Sequence, residues 1–229
     1  MRNRSAADLR YGACAWFVNV LTIALMVLSL VLAPNPAAAD PAEIRVLALG
    51  DSLTAGYGLP AGQGFADQLE RALRAKGVKA RVLNAGVSGD TTAGGLARLD
   101  WALGDKPDVA IVELGANDML RGLDPKAAES NLDKILGRLK RAGVPALLAG
   151  MRSLTNWGAD YAERFEKIYP SLAARYGIEL YPFFLEGVIQ VPALMLQDGL
   201  HPNARGISVI VERILPQVER LIAAQRKAG

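Results

Sequence analysis

The sequence predicts an α/β domain in which a mainly parallel, five-stranded sheet is covered on both faces by helices. Three observations predict it. Short β-branched or apolar runs alternate with longer stretches whose apolar residues recur at helical spacing. Gly77, Gly143 and Gly177 close three of those helical stretches. The 229 residues are 51% apolar and 21% charged, which is ample for one hydrophobic core and short for two full domains.

The predicted strands are residues 44–49, 80–84, 108–114, 146–150 and 178–181. Between them run helical patterns. Residues 65–76 place Phe65, Leu69, Ala72 and Leu73 on one face, and residues 127–142 do the same with Leu132, Ile135, Leu136 and Leu139; residues 161–176 and 207–224 behave likewise. Parallel neighbours need a crossover connection, so strands alternating with helices of this length form a parallel sheet. In such sheets the site lies beyond the carboxyl ends of the strands.

The N-terminus stands apart. Arg2, Arg4 and Arg10 precede an uncharged stretch, residues 11–39, that ends in Pro34, Pro36 and Ala37-Ala38-Ala39. This is the pattern of an export signal; Ala37 and Ala39 make an A-x-A site, and cleavage there leaves Asp40 as the first mature residue. The apolar core, residues 15–33, nearly spans a bilayer at 1.5 Å per residue, so the alternative is a retained inner-membrane anchor with the domain exported. The expected organisation is therefore an export segment at 1–39 and a single domain at 40–229, periplasmic or secreted. Removing 1–39 leaves 23 basic and 22 acidic residues, a net charge of +1, and no basic cluster with interleaved aromatics that would suit nucleic acid. The only cysteine, Cys14, goes with the signal.

Four segments invite a chemical reading: Gly50-Asp51-Ser52-Leu53, residues 84–92 (NAGVSGDTT), Gly115-Ala116-Asn117-Asp118, and Asp198-Gly199-Leu200-His201-Pro202. A serine hydroxyl attacks carbonyls poorly until a base takes its proton. The chain has one histidine, His201, with a carboxylate three positions before it. Ser52 is then the nucleophile, His201 the base, and Asp198 the group that holds the imidazole tautomer and stabilises the imidazolium. The oxyanion needs preorganised donors, and three strand ends supply them: the Ser52 and Gly89 backbone N–H groups and the Asn117 side-chain amide. Met119, Leu120, Leu154, Trp157, Met195 and Leu196, near these loops, are candidates to line an acyl groove or are ordinary packing residues.

Other chemistries fit less well. Gly50, Gly56 and Gly58 match neither phosphate-binding glycine pattern, and the serine lacks the second flanking glycine of a nucleophile elbow because Thr54 stands there. One histidine and no mature cysteine make a poor metal site.

In this order, the four segments resemble the blocks of the SGNH or GDSL hydrolase family. NAGVSGDTT, VELGANDMLRG and DGLHPN look most like its bacterial secreted group of thioesterase I, lysophospholipase and arylesterase proteins. The resemblance implies a three-layer α/β/α fold of flavodoxin-like character and an acyl-enzyme mechanism with no metal and no cofactor. It assigns Ser52 as nucleophile, Gly89 and Asn117 as oxyanion donors, and Asp198 and His201 as the rest of the triad. The implied partner is a small-molecule or lipid acyl ester, with membrane contact only through the N-terminal segment or a lipid substrate. A carbohydrate esterase that removes acetyl groups is the alternative within the family; a nonenzymatic exported binding domain is the alternative outside it.

Overall fold

The computed structural model of the protein describes residues 42–153 and 155–228. The expected export segment and the candidate Leu154 lie outside the described residues. The chain enters as strand β1 (Ile44–Gly50), turns through the one-turn helix α1 (Ser52–Ala55) and returns along α2 (Phe65–Ala75) to β2 (Ala80–Gly86). Short helices α3 (Thr92–Ala97) and α4 (Leu99–Leu103) lead to β3 (Val109–Glu113). Helices α5 (Ala116–Leu120) and α6 (Pro125–Arg141) precede β4 (Ala146–Ala149); α7 (Ala159–Glu166) and α8 (Ile168–Tyr176) precede β5 (Leu180–Tyr181); α9 (Ala204–Ala228) follows.

The strands form one parallel sheet in the order β2-β1-β3-β4-β5, so this is a three-layer α/β/α sandwich of the kind expected. Right-handed crossovers explain the layers. The β1-to-β2 connection moves one way along the sheet and the later connections move the other way, which puts α2 and α6 on opposite faces. Helix α9 packs beside α2, and α8 beside α6. With both faces covered, β1 and β3 are buried almost end to end, whereas the edge strand β2 exposes Arg81 and Asn84.

Two differences from the sequence reading have local causes. Residues 161–176 are not one helix: α7 and α8 break at Lys167, because Pro170 has no N–H to give the Glu166 carbonyl and its ring crowds that turn. Helix α6 starts two residues earlier than its apolar pattern, since Asp124 accepts the Lys126 N–H at 3.1 Å and Pro125 suits a first helical position.

The register fixes the site. Gly50 lies opposite both Gly86 and Glu113, and Glu113 opposite Ala149, so four strands end level with one another. The strand order reverses direction at β1 and β3, the position where parallel sheets open a crevice at their carboxyl edge. Among the described residues no helix is long and apolar enough to cross a membrane.

Candidate active site

Ser52 sits at the first position of α1, directly beyond β1. Asp51 caps that helix by accepting the Leu53 N–H at 3.0 Å, and the Ser52 N–H, at the helix start, has no acceptor within its own helix. Gly50 allows the tight turn before it: a methyl group there would overlap the Thr54 hydroxyl and the Glu113 carboxyl.

His201 reaches the same point from the other end of the chain. Its Nε2 is 2.9 Å from the Ser52 Oγ and its Nδ1 is 2.7 Å from the Asp198 Oδ2. A carboxylate only accepts, so Nδ1 carries the proton and Nε2 is left to accept from the serine hydroxyl. The loop that carries both residues is tied down locally. The other Asp198 oxygen accepts the Leu200 and His201 N–H groups at 2.9 and 3.0 Å, the Leu196 N–H reaches the His201 carbonyl at 2.7 Å, and Gly199 takes the left-handed turn. Hydrogen bonds from the His201 backbone and ring, with the one from Leu200, hold the Asp198 carboxyl down at about 2. It stays ionised opposite the imidazole.

Asn203 completes this loop. Its side-chain amide donates to the Ala193 and Met195 carbonyls at 3.0 and 3.2 Å, while its oxygen accepts the Arg205 and Gly206 N–H groups at 3.0 and 3.1 Å and so caps α9.

The two other strand-end segments are locked together. Asp118, buried in α5, accepts the Thr92 hydroxyl at 2.6 Å and its N–H at 2.8 Å, joining the loop after β2 to the loop after β3. Burial raises the Asp118 carboxyl. Gly89 lies at φ +85°, a left-handed conformation that favours glycine, and its carbonyl accepts from Arg121 Nη2 at 2.7 Å, which fixes the plane of the peptide that follows. Arg98 draws the ends of β1 and β2 together. It donates to the Gly50 carbonyl at 2.8 Å and the Ala85 carbonyl at 2.7 Å, and pairs with Asp90 at 2.6 Å.

Ser52, Gly89, Asn117 and His201 all line one cavity of about 360 Å³. Met119 and Leu120 are in its wall, as are Met151, Phe183, Leu185 and Ile189. The chemistry of this arrangement is that of an activated hydroxyl with amide donors beside it and apolar walls around it. Three candidates stand elsewhere. Trp157 is half-exposed and packs over Gly122 and beside Tyr161, while Met195 and Leu196 line a separate depression with Gln190 and Pro192. The wall residues from the loops after β4 and β5 were missed, although their place beyond strand ends was a usable signal. Also missed were Tyr57, whose ring lies against His201, and Arg152 on the cavity rim. Among the described residues no group of three or more His, Cys, Asp or Glu side chains could hold a metal ion.

The model of the GDSL-like lipase/acylhydrolase family matches residues 48–207. An arylesterase of Vibrio mimicus is 42% identical over 195 residues, which cover 85% of this chain and 98% of that protein. Thioesterase 1/protease 1/lysophospholipase L1 of Escherichia coli K12 is 40% identical over 207 residues, covering 90% and 97%. Among solved structures, AlinE4, an SGNH-hydrolase family esterase, superposes with a TM-score of 0.67 at 50% identity, covering 79% of this chain and 97% of its own.

Proposed function

The chain belongs to the GDSL-like lipase/acylhydrolase family and is a carboxylic ester hydrolase acting on acyl esters; from that premise we propose that Ser52 carries the acyl group and that the cavity beside it holds an acyl chain. The observation that carries the reading is the continuous relay from Ser52 Oγ to His201 Nε2 and from His201 Nδ1 to Asp198, opening onto apolar walls.

In the proposed sequence, Ser52 Oγ attacks the ester carbonyl as His201 Nε2 takes its proton, and Asp198 stabilises the imidazolium. The carbonyl oxygen becomes an oxyanion that accepts from the Ser52 and Gly89 N–H groups and the Asn117 amide, donors worth about 3 kcal/mol each in comparable sites. Collapse breaks the bond to the alcohol oxygen, which leaves with the proton from His201. Water then attacks the acyl-enzyme; His201 takes a proton from that water and returns it to Ser52 Oγ, releasing the acid.

The cavity is within the range of about 300–1,000 Å³ found for small-molecule sites, and Met119, Leu120, Met151, Phe183, Leu185 and Ile189 give it an apolar wall suited to an acyl chain longer than acetyl. Aryl esters, thioesters and lysophospholipids are the proposed substrates by analogy with the named relatives, and lipid esters suit an exported enzyme. The export segment at 1–39, with cleavage before Asp40, and a single catalytic domain at 40–229 remain part of this proposal.

Hydrolysis of a p-nitrophenyl ester series from acetate to decanoate tests it. The reading expects kcat/KM to rise beyond acetate. A strict preference for acetate, with acetylated sugars as better substrates, overturns the acyl-chain assignment in favour of a carbohydrate esterase.

A further inference from the structure

Two buried acids beside the site take no part in the acyl-transfer steps. Asp51 is 0% exposed and Glu113 is 1% exposed. Asp51 accepts twice: its Oδ1 from the Leu53 N–H at 3.0 Å and its Oδ2 from Asn117 Nδ2 at 3.1 Å. Glu113, at the end of β3 and in register with Gly50, accepts from the Thr54 hydroxyl at 2.7 Å and the Asp51 N–H at 3.4 Å through one oxygen. Its other oxygen is buried with no hydrogen-bond partner in the described structure.

Two adjacent carboxyls in such a place do not both ionise, because each loses its hydration and repels the other. The hydrogen bonds decide which one carries the charge. Both partners of the Asp51 side chain are N–H donors that cannot accept, so the O–H of a protonated Asp51 would find no acceptor in either. Glu113 instead faces a hydroxyl, which can reverse its role, and has an unsolvated oxygen on which an extra negative charge is poorly placed.

We propose that Asp51 is a positioning residue whose carboxylate orients the Asn117 amide for the oxyanion, with Glu113 as its neutral neighbour. The inference rests on the reading of Asn117 as an oxyanion donor. Because a carboxylate accepts only, it fixes the Asn117 side chain with Nδ2 toward Asp51. One amide hydrogen is engaged there, and the second is left for the cavity that Asn117 shares with Ser52 and Gly89. An amide at position 51 could accept or donate, and that constraint would be gone. Burial pushes the Asp51 carboxyl up to about 6, countered by the Leu53 and Asn117 hydrogen bonds and by the charge of His201, while Asp118 opposes ionisation. Burial, and then the charge of Asp51, push Glu113 well above the usual carboxylate range. The direction agrees with the hydrogen bonds: Glu113 holds its proton more tightly than Asp51 does.

A double-mutant cycle tests the positioning role. Asn117→Ala, Asp51→Asn and the double variant are compared on p-nitrophenyl butyrate, with kcat and KM measured separately. Loss of one oxyanion donor costs about 10²–10³-fold in kcat. The proposal expects Asp51→Asn to lower kcat on the order of tenfold to a hundredfold with KM changed less than about threefold, and to add little once Asn117 is alanine. If Asn117→Ala lowers kcat but Asp51→Asn does not, or if the two losses multiply, the positioning role is overturned while the oxyanion reading stands. If Asn117→Ala leaves kcat intact, the oxyanion reading falls and takes this inference with it. A second measurement needs no variant to fold: the carboxyl ¹³C shifts of the wild-type protein at pH 7.5. Asp51 as a carboxylate and Glu113 as a carboxylic acid support the assignment, and the reverse, or two carboxylates, overturns it.

Discussion

The ring of Tyr57 lies against the ring of His201, with centroids 4.5 Å apart and planes inclined by 36°. Tyr57 is also in the cavity wall and remains 51% exposed, so it covers one face of the imidazole without sealing the site. An aromatic face near a cation is worth about 0.5–1 kcal/mol at exposed sites, and taking the serine proton makes the His201 ring such a cation. Tyr57→Leu is therefore expected to lower kcat about three- to fivefold, with Tyr57→Phe within twofold of wild type. Steady-state kinetics on a soluble ester check this; equal losses in both variants would assign the effect to the phenol hydroxyl.

Arg98 joins the ends of two strands to the loop that carries Gly89, and little of its side chain or that of Asp90 is exposed. Arg98→Met leaves two carbonyls and a carboxylate short of a donor, a loss of about 3 kcal/mol by analogy with broken buried pairs. Urea unfolding measures it. Lysine should not restore the stability, because one ammonium cannot span three acceptors set around a planar fork.

Asn203→Ala removes both the α9 cap and the ties to the Ala193 and Met195 carbonyls. A lost cap alone costs about 1 kcal/mol. Because the same residue braces the His201 loop, kcat is expected to fall together with the unfolding midpoint. Asn203→Asp, which keeps the cap but not the amide donors, should recover stability more than turnover.

Asp51 titrates at about 6 in the folded protein against an ordinary 3.8. Between those values the folded state holds a proton that the unfolded state has released, so this group's contribution to stability falls as pH rises through the window. Asp51→Asn removes that fall. The stability of the variant relative to wild type should increase between pH 4 and pH 6.5, by on the order of 2 kcal/mol at 1.36 kcal/mol per pKa unit. Urea titrations of both proteins at the two pH values read the difference; a constant offset contradicts it.

These residues mark how far the sequence could be read. Strand and helix order were legible because periodicity reports which face of an element is apolar, as at Leu132, Ile135, Leu136 and Leu139, all buried in α6. Ser52, Gly89 and Asn117 stood out because they sit in polar, glycine-bearing segments beyond strand ends, and His201 because it is the one histidine, with Asp198 three positions before it; the fold brings Ser52, Gly89, Asn117 and His201 to one cavity and Asp198 to the His201 ring. The helix break at Lys167 was written in Pro170, though the apolar pattern runs across it. Trp157 and Met195 show where the reading stops: loop position says that a side chain is near the site, whereas the direction it points depends on contacts such as Trp157 on Gly122. Glu113 lies inside the predicted strand 108–114, and the sequence alone does not say what its carboxyl meets. Only the register that sets it opposite Gly50, beside Thr54, turns it into a buried acid.

The most direct test is covalent. Incubation with a p-nitrophenyl alkylphosphonate, followed by peptide mass spectrometry, should show one adduct per chain on Ser52, with esterase activity lost in proportion to labelling. Ser52→Ala should take no label and lose about 10⁴-fold or more of its turnover. Labelling at another residue, or esterase activity retained in Ser52→Ala, contradicts the assignment of Ser52 as the nucleophile.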